Sequence, residues 1–201
     1  MPDQLNAGDV LRRVLVLVVA GGVLGALLGV VWEWVWEAPA GTVYQGRWFL
    51  DRDGIYEAVS ATGWFTVLGV GAGLLFGATA AWFARGREVA TLVGVFLGAV
   101  LAAWLMYQVG HALGPPDPQT VAATAEDMAS VPGDLRLDGA GENPWPFWFE
   151  SSAFCALPGG ALLGLAGVFL GSHGRRRDDA DRDGADRDGA ERDDAAAPDS
   201  A

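Results

Sequence analysis

Glycine recurs every fourth residue inside four long apolar runs of this 201-residue chain. Gly21, Gly25 and Gly29 mark the first run, and Gly69, Gly73 and Gly77 mark the second. Gly94 and Gly98, continued by Ala102, mark the third; Gly160 and Gly164, followed by Gly167 and Gly171, mark the fourth. A glycine inside a water-exposed helix costs about 1 kcal/mol against alanine, so this register is a poor design for soluble helices. In lipid, the same spacing lines one helix face with small residues and lets neighbouring backbones approach closely. The pattern therefore predicts an all-α membrane protein with four transmembrane helices in a glycine-packed bundle.

The runs cover about residues 14–36, 64–84, 89–107 and 147–171. Each is close to the ~20 residues that span a hydrocarbon core about 30 Å thick at 1.5 Å per residue. Hydrophobic residues make up 51% of the chain, and its mean hydropathy is +0.25. The rival reading of the first run is a cleaved signal peptide, since Arg12 and Arg13 precede it and Ala38-Pro39-Ala40 has an A-x-A form. Its length and its three terminal tryptophans favour a retained helix. Arg85, Gly86, Arg87 and Glu88 alone separate the second and third runs, which predicts an antiparallel hairpin. Pro158 lies near the middle of the fourth run, where it would kink a helix, and Gly159-Gly160 beside it would make that point deformable.

The formal charge of −12 is concentrated outside these runs. Ten of the 25 acidic residues lie after Gly171, in a segment with a five-residue period (RRDDA, DRDGA, DRDGA, ERDDA) and no large apolar side chain. Residues 172–201 are therefore expected to form a disordered Arg/Asp-rich tail. An acidic balance without a basic face argues against nucleic-acid binding. Arginines flanking the runs divide unequally: Arg12, Arg13, Arg85, Arg87, Arg175, Arg176 and Arg177 fall on one side, and Arg47, Arg52 and Arg136 on the other. That excess predicts a multi-pass protein of the cell membrane, with residues 1–13, the short hairpin loop and the tail in the cytoplasm. The two longer connections, about 37–63 and 108–146, then face outward.

In the first of these, Asp53-Gly54 between β-prone stretches suggests a short β-hairpin. In the second, residues 119–130 could form one short helix, ended by Pro132. The single cysteine, Cys155, excludes an intrachain disulfide and reads as a small hydrophobe within the fourth run.

The chain carries no Walker A loop, GxSxG elbow, HExxH helix or CxxC pair, so neither catalysis nor a cofactor or metal is expected. The centres of the runs hold a few threonines and serines and no charge, which speaks against an ion or proton path. Three ionisable residues near the outer ends, Glu33, His111 and Glu150, could converge as a weak polar cluster, or simply face interfacial water. The glycine faces could serve packing within one chain, a homo-oligomer or docking in a larger membrane complex. Membrane lipid is the one certain partner of such a design.

All thirteen basic residues are arginine, and with the Ala, Gly, Val, Asp and Trp content this fits GC-rich coding, as in actinobacteria. Gly63-Trp64-Phe65, Gly73, Gly77 and the Arg85–Arg87 turn carry a resemblance to a family of small actinobacterial four-helix membrane proteins of unknown function. It covers roughly residues 14–171, and members are sometimes labelled as transporter permeases. Thr62 stands where those proteins often have Asp, so the resemblance implies no acidic role there, and it supplies no binding or catalytic residues. The sequence reading is thus a structural or accessory membrane component, with a permease-like subunit or a sensor with outer ligand-binding loops as alternatives.

Overall fold

The computed structural model of the chain describes residues 7–51, 54–84, 88–140 and 151–171, with 54–59 described by backbone alone. Helix α1 spans Ala7–Val35, strands β1 and β2 span Ala40–Tyr44 and Arg47–Leu50, and helix α2 spans Gly54–Trp82. Helix α3 covers Glu88–Leu113, the short helix α4 Pro118–Ala122 and strand β3 Ser130–Pro132. A 3-10 turn at Ser152–Cys155 leads into helix α5, residues 156–171. Four helical segments, in α1, α2, α3 and the Ser152–Gly171 span, are long and apolar enough to cross a membrane. Leu11, Leu15, Val19, Val23 and Leu27, spaced along α1, are each more than half exposed, a surface that water disfavours and lipid does not.

The closest helix packing is not between chain neighbours. α1 and α3 run parallel and lie against each other: a Cβ added at Gly21 would fall on the backbone of Gly98, and one at Gly25 on that of Ala102. Gly29 meets the Met106 carbonyl at 2.7 Å from such a Cβ, and Gly94 and Gly98 meet Leu17 at the same distance. α2 and α5 form the second parallel pair. Gly73 faces the carbonyl of Leu157 and Gly77 that of Ala161, while Gly160 and Gly164 face Val70 and Leu74 in return. Gly69 sits more loosely, 3.3 Å from Ala156. Small residues thus put backbone against backbone, where dispersion and dipolar contacts replace the hydrophobic drive that lipid does not supply. α2 and α3 are consecutive and antiparallel, as their short connection requires, yet each has its closest packing elsewhere.

Several boundaries differ from the sequence expectation. α1 starts at Ala7, about two turns before the apolar run, with Asp9 in its first turn where the helix dipole favours an acid. α3 continues to Leu113, because nothing between Tyr107 and Gly114 stops it, and Pro115-Pro116 then do. His111 therefore lies in the last turn of α3 rather than after it. Pro158 does not sit mid-helix: the regular α segment begins at residue 156, which places Pro158 in the first turn, where a missing N–H breaks no helical bond. Cys155 is exposed at that start.

A β-hairpin does occur in the first connection, but not at Asp53-Gly54. Its turn is Gln45-Gly46, with φ of 52° and 70°, the pair of positive values that a two-residue hairpin turn requires. Gly54 instead opens α2. In the second connection only Pro118–Ala122 is helical, capped by the Asp117 side chain on the Gln119 N–H. Ser130–Pro132 becomes β3 by pairing with Ala40–Thr42, and just before it Ala129 and Met128 bond the Val43 N–H and C=O at 3.0 and 2.8 Å. The sheet order is β2-β1-β3, all antiparallel, so the two connections together build one cap over one end of the bundle. The expected tail, residues 172–201, lies outside the described residues, as do residues 147–150 of the fourth run.

We expect Gly25→Leu and Gly73→Leu each to lower stability in detergent melting by about 1–3 kcal/mol or more, since both drive a side chain into a facing backbone. Gly71→Ala, which meets nothing within 4 Å, should leave stability unchanged or raise it slightly. Equal losses at all three positions would show that the paired faces are not what holds the helices.

Candidate functional site at the capped end

The two helix pairs are joined at this end by aromatic rings, one from each membrane-length segment: Trp32, Phe65, Tyr107 and Phe154. Trp32 meets Phe65 edge-on at 5.1 Å between centroids, Phe65 meets Phe154 at 5.8 Å, and Tyr107 meets Phe154 at 5.5 Å. Edge-to-face pairs of this kind add about 0.5–1.5 kcal/mol each beyond the area they bury. Trp32 is fully buried, and its indole N–H donates to the Ala61 carbonyl at 2.8 Å, tying α1 to α2. Gly110 makes room for it on α3: a Cβ there would meet the Trp32 ring.

Over this cluster lies residues 133–140, in which burial alternates. Leu135 and Leu137 are buried in the bundle core, whereas Asp134, Arg136 and Asp138 point to the other side. Two hydrogen bonds from separate helices hold the segment. Thr62 Oγ1 on α2 accepts from the Asp138 N–H at 3.0 Å. His111 Nδ1 on α3 lies 2.8 Å from the Leu135 carbonyl, and since a carbonyl only accepts, Nδ1 carries the proton. The imidazole also stacks on Tyr107 with 5.6 Å between centroids and 5° between planes.

Between this segment, the sheet and the start of α2 is a cavity of about 460 Å³. Trp36 and Trp48 supply aromatic wall, and Asp134, Arg136 and Asp138 supply charge. Arg136 Nε and Asp134 Oδ2 form an ion pair at 2.9 Å. Trp48 reaches its place because Gly41 on the neighbouring strand has no side chain to obstruct the indole, whose N–H donates to the Val131 carbonyl at 2.9 Å. The backbone of Trp48 at the edge of the sheet is closed by Gln119, whose amide accepts from its N–H at 3.3 Å and donates to its carbonyl at 3.1 Å. Trp36 is buried, and its indole N–H has no hydrogen-bond partner among the described residues. Its apolar walls carry a few convergent polar groups, and its volume falls within the roughly 300–1,000 Å³ typical of small-molecule sites.

Of the three residues anticipated as a polar cluster, Glu150 lies outside the described residues. Glu33 is half-buried near the end of α1, and no hydrogen bond or ion pair joins it to His111 among the described residues. His111 acts on the cap instead. No group of three or more His, Cys, Asp or Glu side chains placed to hold a metal occurs among the described residues. The pocket residues were not singled out from the sequence, although one signal was legible. In GDLRLDG, charged and leucine residues alternate with period two, the mark of a segment with one buried and one open side.

No protein-family model, curated protein or solved structure matches this chain.

Leu135→Ala removes a fully buried side chain beneath the cap and should cost about 2–5 kcal/mol. Hydrogen exchange should then quicken in β1 and β2 and far less in the middle of α1 and α3. Uniform protection matching the parent would mean that the segment does not anchor the sheet.

Proposed function

We propose that this chain is an integral protein of the cytoplasmic membrane that acts as a structural or accessory component, with the capped end as its contact surface. The observation that carries this reading is the cap itself. Its second connection is bonded to α2 through Thr62 and to α3 through His111, its first continues from α1, and the aromatic cluster beneath it joins all four membrane-length segments. A partner bound there is fixed relative to the whole bundle. Where a transport path would run, this end is filled by apolar rings and by Leu135 and Leu137, and the buried polar side chains among the described residues are Thr91 and Ser151. The paired glycine faces act as packing surfaces within the chain, and the exposed apolar faces leave room for a homo-oligomer or a larger membrane complex. The likeness to the actinobacterial four-helix family belongs to this proposal too.

In this reading both termini lie in the cytoplasm and the cap outside. In support, the α1 end bearing Arg12 and Arg13 is the same end from which α3 starts, because the two helices are parallel. In a Cys155→Ser background, Glu126→Cys at the cap should react with a membrane-impermeant maleimide added to intact cells, and Gly8→Cys only after lysis. The reverse pattern would invert the orientation, and labelling of both or of neither in intact cells would show that α1 does not carry the chain across the membrane.

The pocket favours a second reading, a sensor whose cap takes a small ligand against Trp36 and Trp48. Mass spectrometry of complexes purified in mild detergent separates these from a permease-like subunit. A membrane complex without an ATPase supports the accessory role; stoichiometric recovery of an ATPase would replace it with transport.

A further inference from the structure

At the end of the bundle opposite the cap, the α1–α2 face opens into a crevice of about 520 Å³. Its walls are apolar: Val16 and Leu17 from α1, Phe76 and Ala80 from α2. Its mouth is charged, carrying Arg12 and Arg13 together with Asp9. The gradation follows the helix axis. Arg12 and Arg13 precede Val16 and Leu17 by about one turn, so the charged rim lies at the level where α1 leaves its apolar run, and the greasy walls lie one turn deeper. Arg13 also bridges the gap, one Nη donating to the Phe83 carbonyl near the end of α2 at 2.5 Å. A guanidinium has five N–H donors, so this bond positions the group without exhausting it.

We propose that this crevice is a binding site for one anionic phospholipid, its phosphate held by Arg12 and Arg13 and an acyl chain lying between Val16, Leu17, Phe76 and Ala80. The site needs an occupant whose charge and apolar part are separated along the membrane normal, and a phospholipid has that form. Two arginines against one aspartate leave the mouth net positive, which selects an anionic headgroup over a zwitterionic one. Arginine is suited to the task because its planar fork donates to two phosphate oxygens at once. Basic pockets between membrane helices on the cytoplasmic side take anionic headgroups for the same reason. The proposal rests on the membrane placement argued above, which the experiment reads separately.

The test uses the full chain, purified and delipidated in mild detergent, with phosphatidylglycerol, phosphatidylcholine and inorganic phosphate as probes. Native mass spectrometry should show one phosphatidylglycerol retained per chain, and thermal melting should rise by several degrees with it and less with phosphatidylcholine. Arg12→Gln/Arg13→Gln should weaken phosphatidylglycerol retention on the order of tenfold, and Arg12→Gln alone, which keeps the Arg13–Phe83 bond, should weaken it less while melting without lipid stays near the parent value. Val16→Trp, at an exposed position of the wall, should lower retention of both lipids by filling the crevice, and it keeps the test decisive if the double variant folds poorly. Equal gains from both lipids, or full retention by the arginine variant, would overturn the site, leaving only a lipid annulus. The same stabilisation by inorganic phosphate alone would make the ligand a free anion. A dimer crosslinking through Val16→Cys would give the crevice to a second copy of the chain. Extraction of the protein without detergent would refute the membrane reading itself, apart from any lipid result.

Discussion

Backbone-to-backbone contact between parallel helices is the constraint from which the rest of this structure follows. α1 against α3 and α2 against α5 approach so closely at Gly21, Gly25, Gly73 and Gly77 that any side chain there would strike a facing main chain. In water such an approach would waste the chance to bury large side chains. In lipid, burial of apolar surface between helices gains nothing over contact with acyl chains, and dense packing of small residues becomes the available source of cohesion. Large side chains are left to face outward, which is where α1 displays its leucines and valines.

Two glycine-paired units need something to join them, and aromatic rings do so at the capped end. Trp32, Phe65, Tyr107 and Phe154 lock edge-on, and Leu135 and Leu137 cover them from above. The consequence is an asymmetric bundle. One end is closed by rings, a hydrogen-bonded segment and a three-stranded sheet; the other keeps a crevice between α1 and α2 bordered by arginine and aspartate. One end thus presents a surface fixed to all four membrane-length segments, and the other an open groove between two of them; the proposed roles rest on that asymmetry.

The cap also shows how two connections, neither large enough to fold alone, become ordered together. β1 takes β2 from its own connection and β3 from the other, and Gln119 completes the edge of β2 with a side-chain amide in place of another strand. Edge closure of this kind blocks strand addition at Trp48 and leaves the ring free to form a pocket wall. The pocket is thus a product of long-range pairing, and its polar residues come from a segment whose leucines are buried in the bundle.

The spacing of glycine and the length of the apolar runs carried the fold class and the number of membrane-length helices, and β-prone stretches beside turn residues carried the presence of a hairpin, because those depend on local periodicity and composition. Helix ends were less legible. Nothing in the hydropathy of residues 108–113 distinguishes a continuing helix from a loop, and Pro158 reads as a kink until the start of α5 is known. The hairpin turn was misplaced for a related reason: Asp53-Gly54 and Gln45-Gly46 offer similar turn chemistry, and only pairing with β3 decides which stretch is strand. His111 was visible as a polar residue at a helix end, but its acceptor, Leu135, lies 24 residues away. The choice of α1 with α3 and α2 with α5, the aromatic junction, the pocket and the crevice all depend on contacts between residues far apart in the chain. Residue spacing determines which face of a helix is small; the three-dimensional arrangement alone decides which other face it meets.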